Sequence, residues 1–437
     1  MSLVKIANKL PKLNGKFLGI KDAYPPLQPY SLRLKFKEGV TPTFSNGTAV
    51  LLDADENIWD LTYNNTNWKY LLSYQSDLIE VIKGNTTGVT SMSHLFRNCT
   101  SLTTVPLFDT STVTNMTWMF NACSSLTSVP LYDTSNVTIM RGTFGYCLSL
   151  TNVPLFDTSK VTDMSYMFQC CTSLETVPLL DTSKVTNMSY MFNACYSLTS
   201  VPLFDTTNVT DMSHMFDDCQ QLTYVPLFDT SKVTDMSSIF RSCVSLTSVP
   251  LFDTSNVTSM NGMLDGCSSL TSVPLYNTSN VTSMKNMFGG CSLLTTVPLF
   301  DTSKVTDMSW MFYHCNSLTT APLFETSNVT TMKVMFLGCE SFTSAPLFNT
   351  SKLTNMNSMF AYCRSLTSIP LFETSNVTDM EEVFEYCTKV QSGALALYQQ
   401  ASTQTTPPTA YSNAFKYCGR DTQTGAAELA QIPSDWK

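Results

Sequence analysis

Along most of this chain, apolar and polar positions recur with a strict period of 24 residues. Cysteines stand at 99, 123, 147 and every 24th position to 387, and prolines keep the same step from Pro106 to Pro370. One unit reads Cys-x-Ser-Leu-Thr-x-Val-Pro-Leu-Phe-Asp-Thr-Ser-(Asn/Lys)-Val-Thr-x-Met-x-x-Met-Phe-x-x, with no insertion between Cys99 and Cys387. So short a unit cannot bury its apolar face alone and must stack on its neighbour. Leu126, Val129, Leu131, Val137, Met140, Phe144 and Cys147 form the inward column expected of one rung. The spacing predicts a short strand at Leu-Thr-x-Val, ended by a proline that has no N–H for a ladder. A turn at Asp-Thr-Ser follows, where Asp and Ser bond their own backbone. A second short strand at Val-Thr-x-Met and a helical turn through Met-x-x-Met-Phe-x-x-Cys complete the rung. The expected fold is an α/β repeat, a parallel β-rich solenoid of about 13–14 rungs spaced about 4.8 Å apart, over residues 65–390.

Both ends of the array depart from the period. Trp68, Leu71, Leu72, Gln75, Leu78 and Val81 sit 24 residues before Met92, Leu95, Phe96, Cys99, Leu102 and Val105, so they read as a degenerate first rung with Gln75 in the cysteine slot. A polar residue there fits an end rung whose outer side is incompletely covered. Phe415 and Cys418 repeat the Phe-x-x-Cys step, and Leu429, Ile432 and Pro433 repeat Leu-x-x-Val-Pro with stretched spacing. Residues 391–437 are therefore expected to cap the core, with Trp436 as the lid. Before the array, Leu32, Leu34 and Phe36 alternate with Arg33, Lys35 and Lys37, a half-buried strand pattern. Val50–Leu52 and Ile58–Leu61 suggest further strands, giving a small β-rich head over 31–64 and an extended basic arm over 1–30.

Charge changes this picture at one end. Charged residues are only 14% of the chain and the net charge is −9, which excludes the basic stripe that nucleic-acid binding requires. Residues 1–40 nevertheless carry eight basic side chains (Lys5, Lys9, Lys12, Lys16, Lys21, Arg33, Lys35, Lys37) against Asp22 and Glu38, leaving the remainder at −15. The two ends are thus expected to meet different partners. No apolar run is long enough to insert in a membrane. The start of the chain shows neither a secretory signal core nor a lipidation cysteine, and the end shows no hydrophobic anchor.

The repeat resembles the BspA-like leucine-rich repeats, with Asn-Val-Thr-x-Met-x-x-Met-Phe-x-x-Cys-x-Ser-Leu-Thr-x-Val as in bacterial surface proteins and Mycoplasma-type lipoproteins. It departs from the better-known leucine-rich pattern in that Thr134 stands where Asn or Cys would be. The segment from Gly393 to Lys437 looks like the tail of such repeat proteins in gut bacteria and their phages. The resemblance implies an adhesive or receptor-binding protein. Without an export signal, the expected setting is the exterior of a phage virion, where residues 1–64 dock on other virion proteins and the array faces a host-surface glycan or protein. A bacterial cell-surface adhesin is the alternative and an intracellular scaffold the third reading; homo-oligomerisation remains open.

Repeats can be compared with one another. Constant columns should be core and turns, whereas the columns that vary lie in Met-x-x-Met-Phe-x-x-Cys-x. One carries Trp118, Tyr166, Tyr190, His214 and Trp310, another Tyr146, Tyr362 and Tyr386, with Tyr196 and Tyr313 nearby. These aromatics are the candidate binding surface, set against the alternative that they simply lie over neighbouring rungs. The cysteine column reads as a buried thiol ladder rather than disulfides or a metal site, since ladder side chains point one way and Gln75 replaces one of them. The acidic column (Asp109, Asp133 and so on to Glu373) reads as turn chemistry, one carboxylate per rung being thin for Ca²⁺, with Lys160 and its equivalents relieving repulsion. His94, His214 and His314 cannot share a site, and no phosphate loop, nucleophile elbow or metalloprotease helix is present. No cofactor, metal or catalytic centre is expected. The Asn-x-Ser/Thr matches at Asn136 and equivalent positions are by-products of the repeat.

Overall fold

In the computed structural model, residues 24–44 and 47–437 are described in full, and 12–13 and 16–17 by their backbone alone. The chain divides into two compact units, up to Asp205 and from Thr206 onward. Each is a stack of 24-residue rungs.

The first unit opens with a short pair, β1 (Lys12–Leu13) and β2 (Lys16–Phe17), and a four-stranded antiparallel sheet. The sheet contains β3 (Ser31–Phe36), β4 (Thr48–Asp53), β5 (Ile58–Thr62) and β6 (Leu78–Asn85) in the order β4-β5-β3-β6. The head expected over 31–64 therefore recruits a strand from inside the array. β6 pairs with β3 on one side, and on the other Val81 donates its N–H to Thr104 O at 3.3 Å while Thr103 donates to Ile79 O at 2.9 Å. The head sheet thus passes directly into the first rung. Gln75 half-covers its slot there and donates to Thr43 O at 2.8 Å.

Within a rung, the expected strands shrink to single parallel bridges: Asn115 is bridged to Ser91 on one side and Ile139 on the other. The expected helical turn is instead two linked tight turns. Met119 donates to Met116 O at 3.1 Å and Cys123 to Phe120 O at 3.0 Å, with left-handed third residues Trp118 (φ 55°) and Ala122 (φ 60°). That positive φ is what a type II turn requires. The N–H groups between these bonds reach out of the rung: Trp118, Phe120 and Ala122 donate to the carbonyls of Arg141, Thr143 and Gly145 at 2.7–2.9 Å. A helix would turn all these donors inward and leave the rungs unconnected.

Buried leucine, valine and methionine columns such as those of Leu126, Val137, Met116 and Met119 fill much of the core, and four further columns carry its rings and hydrogen bonds. In the first unit Phe96, Phe120, Phe144, Phe168 and Phe192 stack face to face at 5.5–5.8 Å. In the second, Phe288, Phe312, Phe336, Phe360 and Phe384 do so at 5.3–5.5 Å. Offset stacking of this kind contributes about 0.5–1.5 kcal/mol per pair beyond area burial. The cysteines form a second column. Along the column the buried thiols point at backbone carbonyls of the preceding rung, from Cys99 to Leu72 O through Cys123 to Phe96 O and on to Cys387 to Phe360 O, each at 3.1 Å. All the cysteines are unoxidised. Burial pushes the thiols up, Cys99 and Cys147 to about 12, so they stay protonated donors. A third column is threonine. Thr134 donates its hydroxyl to Asp157 O at 2.7 Å, and the same bond recurs at Thr110, Thr158 and Thr182, and from Thr206 to Thr350. Threonine thus ties rung to rung at the position where Asn or Cys was expected. The fourth column is the ring after the leucine, Phe108, Tyr132 and their equivalents, almost fully buried.

One inward assignment is overturned. Leu131 is 59% exposed, and its equivalents from Leu107 to Leu371 are exposed throughout, while Tyr132 is buried at 3%. Val and Phe stand three residues apart and both face inward, so the segment does not simply alternate. Phe204 donates its N–H to Pro202 O at 3.0 Å, closing a three-residue turn that swings Leu203 outward, and the same bond recurs at Phe228, Phe252 and Phe324.

The second unit closes with α1 (Ala394–Thr403) and α2 (Gln423–Gln431). Leu429 belongs to α2 rather than to a rung, although Ile432 beside it is buried. The phenylalanine column runs on through Phe415 (6.0 Å from Phe384) to Trp436, whose ring lies 6.3 Å from Phe415 and stacks on Tyr411 at 4.4 Å. Trp436 is buried and acts as the lid. The threonine column ends on Gln404, whose Oε1 accepts from Thr374 at 2.8 Å.

Of fifteen cysteines, Cys170 alone is not fully buried. An aromatic disulfide reagent is expected to modify about one thiol per native chain, rapidly in the wild type and not at all in Cys170→Ser, and all fifteen after unfolding. Disulfides, or several reactive thiols in the native chain, would contradict the ladder.

Candidate functional site

The left-handed turn residues are the columns that vary. The first column runs His94, Trp118, Gly142, Tyr166, Tyr190 in the first unit, and the second runs Asn98, Ala122, Tyr146, Cys170, Ala194, all with positive φ. Glycine or asparagine is the inexpensive choice at such a φ, and a bulky side chain costs on the order of 1 kcal/mol. Aromatics persist there because their rings meet across rungs. Tyr166 and Tyr190 stack at 4.8 Å and 5°, Trp118 approaches Tyr166 at 5.8 Å, and the Arg141 guanidinium lies 5.2 Å above Tyr166. Trp118 lies over Gly142, where a Cβ would fall 2.2 Å from its ring. These rings lie over neighbouring rungs, as the alternative reading has it, and remain half-buried. Tyr146 is 44% exposed and Tyr196 is 40% exposed, outside this stack.

The second unit carries two further groups. Trp310, Tyr313 and His314 pack edge to face at 5.0 and 4.2 Å. Tyr362, Tyr386 and Tyr417 occupy the second turn column of successive rungs, with centroids 4.8 Å apart at both steps. Cations frame this platform. Arg420 lies 4.8 Å from the Tyr417 ring and 5.7 Å from Tyr386, Arg364 lies 5.9 Å from Tyr362 and Lys416 5.9 Å from Tyr417. A groove of about 290 Å³ lined by Asn413, Lys416, Tyr417, Leu429 and Lys437 runs beside it. Tyr417, Arg420 and Arg364 were not singled out in the sequence. The Phe415–Cys418 step does place Tyr417 in the column of Tyr362 and Tyr386, and that signal was sufficient to find it. Tyr417 completes the platform.

His214 takes part in an ion pair. Its Nδ1 lies 2.9 Å from Asp217, which also accepts from Arg241 Nε at 2.9 Å. Asp217, Arg241 and Asp265 share one column on successive rungs, an alternation of sign within the half-buried wall.

The N-terminal basic cluster is altered most. Arg33 is buried rather than outward: it donates to both Asp60 oxygens at 2.8 and 2.9 Å and to Pro25 O, with the Tyr24 ring over it. The alternation was misread because the segment around Pro25 covers the second face of β3. Lys35 pairs with Glu56 at 2.6 Å and Lys37 with Asp77 at 3.0 Å. These three serve the head and are not free for docking. Lys5, Lys9 and Lys21 lie outside the described residues, as do the side chains of Lys12 and Lys16.

The acidic column performs turn chemistry. Asp133 accepts from the N–H and hydroxyl of Ser135 at 3.1 and 2.7 Å, and these bonds hold its carboxyl below the usual range. The lysines act from nearby: Lys160 donates to Asn136 Oδ1 of the preceding rung at 2.7 Å, as do Lys232, Lys304 and Lys352 to their own asparagines. After the serine bonds, the charges of Lys160 and Lys304 help hold Asp157 and Asp301 below the usual range. Among the described residues no group of three or more His, Cys, Asp or Glu is placed to hold a metal ion, and no helix is long and apolar enough to cross a membrane.

With this geometry in hand, comparison with known families is informative. A family model described as "Mycoplasma protein of unknown function, DUF285" matches five overlapping stretches, 66–177, 147–247, 224–317, 245–345 and 283–398. The chain belongs to this family. The Mycoplasma-type, BspA-like repeat read from the sequence therefore stands. Similar solved structures include a leucine-rich repeat protein from Eubacterium ventriosum (18% identity, 72% of this chain and 83% of that one, TM-score 0.47). A leucine-rich cell surface protein from Faecalibacterium prausnitzii is similar at 19% identity, over 64% and 83% of the two chains, with a TM-score of 0.36. No curated protein matches.

Asp265 supplies a stability test. Burial, as the largest cause, raises its carboxyl to about 6 despite Arg241 and Asn286. A carboxyl whose folded pKa exceeds its unfolded value binds more protons when folded, so it penalises the fold above about pH 6 and the penalty fades as pH falls towards 4. Asp265→Asn is expected to stabilise the chain by about 1 kcal/mol at pH 8, after allowance for solvent screening, with no gain at pH 4. Urea unfolding at the two pH values measures this, and a gain at pH 4 equal to that at pH 8 would refute the assignment.

Proposed function

We propose that this family member is a non-enzymatic adhesin that binds a glycan on a target-cell surface through aromatic platforms on its turn columns. The observation that carries this reading is the Tyr362–Tyr386–Tyr417 stack framed by Arg364, Lys416 and Arg420. Tyr362 and Tyr386 stack at 16° while Tyr417 tilts 46° from Tyr386, so the three form a rigid apolar ridge against which a sugar packs at little entropic cost. Lys416 pairs with Glu385 at 3.1 Å and Arg420 with Asp421 at 3.5 Å, and with Arg364 beside them these groups suit a glycan carrying an acidic substituent that can share their donors. Supporting this, other rungs carry Ala122, Ala194 and Ser242 at the same turn position, so the backbone does not require tyrosine there.

The same fact makes the test clean. Tyr386→Ala and Tyr417→Ala place in these rungs a residue that the turn accepts elsewhere, so folding should persist. On an array of host-surface glycans the full chain is expected to bind acidic members, and each variant to bind at least about tenfold more weakly. A wild type that binds no glycan would overturn the reading and favour a protein ligand, and variants that bind as well as the wild type would overturn the tyrosine platform as the site.

A finer form of this proposal places the adhesin on a phage virion, docked through its N-terminal segment. Residues 1–23 carry Lys5, Lys9, Lys12, Lys16 and Lys21 against Asp22 alone, and this concentration of charge favours a dedicated acidic docking partner. Mass spectrometry of purified phage and of host-cell fractions distinguishes the settings. Stoichiometric recovery of the chain in particles supports the virion, whereas recovery only in the bacterial envelope supports the cell-surface adhesin.

A further inference from the structure

The exposed leucines are the feature that glycan binding leaves unexplained. In the second unit every rung from Leu227 to Leu371 presents its leucine at 55–62% exposure. Exposed positions without a bond to a neighbouring rung vary: the second turn column contains Tyr, Gly, Ser, His and Asp in neighbouring repeats. The exposed threonines of Val-Thr-x-Met are constant, but their hydroxyls donate to the preceding rung, as Thr258 does to Thr234 O at 3.2 Å. The leucine side chain makes no such bond and has still remained leucine in every rung. The core does not hold it so, because the side chain faces outward. The three-residue turn centred on it, closed by bonds such as Phe252 N–H to Pro250 O at 3.0 Å, uses only backbone groups and an ordinary φ that many side chains adopt.

A partner that touches each rung in the same way must share the rung spacing. A second copy of the chain has that spacing by construction, whereas an unrelated surface would meet different rungs differently. We propose that the leucine ridge of the second unit is a homodimer interface, in which two copies pair side by side and in parallel.

Area and charge both support this occupant. Seven leucines at roughly 100 Å² each approach the 800 Å² per partner typical of stable complexes, and the ridge exceeds the apolar patch usual on a monomer. On one flank of the ridge stand Asp229, Asp253, Asp301, Glu325 and Glu373, all exposed; on the other stand neutral residues such as Ser248, Thr296, Thr320 and Ser344. A two-fold axis running along the ridge sets each acidic flank against the partner's hydroxyl flank. A two-fold axis across the ridge would set acid against acid, which like charges oppose. The first arrangement is the parallel one. It also provides seats for the leucines: a furrow of about 340 Å³ lies between the ridge and the acidic column, lined by Leu299, Leu323 and Leu347 on one side and Asp301, Glu325 and Asn349 on the other. Shifted slightly sideways, each ridge enters the other copy's furrow, the self-complementary contact of an isologous dimer.

Sedimentation equilibrium of the full chain is the first test, with a dimer expected at about 10 µM. The double variant Leu299→Ser, Leu323→Ser should weaken association at least about tenfold while leaving the circular dichroism spectrum and Tm unchanged, since both side chains face solvent in the monomer. Orientation is read in a Cys170→Ser background by placing one cysteine at a time, Leu251→Cys, Leu299→Cys or Leu347→Cys, and oxidising. Parallel pairing brings each position near its own mate, so all three should cross-link. A monomeric wild type, a dimer indifferent to the double serine variant, or cross-linking at only one of the three positions would each overturn the proposal. Glycan binding by the Tyr386 platform stands or falls separately, because no ridge residue belongs to it.

Discussion

The hydrogen bond from a left-handed turn residue to the carbonyl of the following rung is the interaction on which the stack depends. Each rung makes its tightest bends twice, at positions such as Trp118 and Ala122, and at both the freed N–H reaches the next rung at 2.7–2.9 Å. The bends bring Met119, Phe120 and Cys123 inward to their columns. They also turn the side chain of the bending residue out of the core, so its identity is set by solvent and by neighbouring rungs rather than by packing. The backbone cost of a positive φ recurs at every turn, and it is offset because a buried amide that failed to find the next carbonyl would cost more. From this one constraint follow both the uniform interior and the variable outer columns on which the tyrosine platforms are built.

The interior columns repeat the same logic with side chains. A thiol pushed up by burial remains a proton donor, and Cys123 uses it on the Phe96 carbonyl. Thr134 uses its hydroxyl on the Asp157 carbonyl. Both groups are small enough to lie in a stack whose rungs are about 4.8 Å apart. The hydroxyl satisfies a carbonyl outside the short parallel bridges, and the thiol adds a second donor to Phe96 O, which already accepts from Cys99 N–H at 3.0 Å. This explains why a cysteine ladder can be free of disulfides: each sulfur is aimed at backbone, and the next sulfur along the column is aimed the same way.

How much of this was legible depends on what kind of information each residue carries. The period, the phase of the first rung at Trp68, the thiol ladder and the Trp436 lid follow from spacing alone, because stacking converts sequence period directly into spatial column. The shape of the turns was not legible. A Met-x-x-Met-Phe-x-x-Cys spacing satisfies a helix as well as two tight turns, and only the inter-rung amide bonds decide between them. Arg33 was misplaced because alternation reports two faces of a strand but not whether the second face is covered, and here Tyr24 and Pro25 cover it. Leu131 was misplaced for a different reason. Apolar residues are favoured inside, but an exposed leucine violates nothing, so hydrophobicity could not rank Leu131 against the neighbouring Tyr132. The platform of Tyr362, Tyr386 and Tyr417 was two-thirds visible, and its cations were not, because Arg364 and Arg420 reach it from outside the turn column.

The two exposed surfaces differ in what maintains them. At the turn columns, Ala, Gly, Ser, Asp and Tyr all satisfy the same backbone, so an aromatic platform can arise or vanish by single substitutions without disturbing a core contact. That is the property expected of a surface whose ligand changes. The leucine column tolerates no such drift, although solvent alone would permit it. An exposed position with one identity in every rung implies a contact that is itself repeated in every rung. The acidic column beside it is uniform for an internal reason, since each carboxylate closes its own turn through a serine hydroxyl such as that of Ser135. No internal bond does the same for the leucines, and the remaining constraint has to come from a surface with the same period.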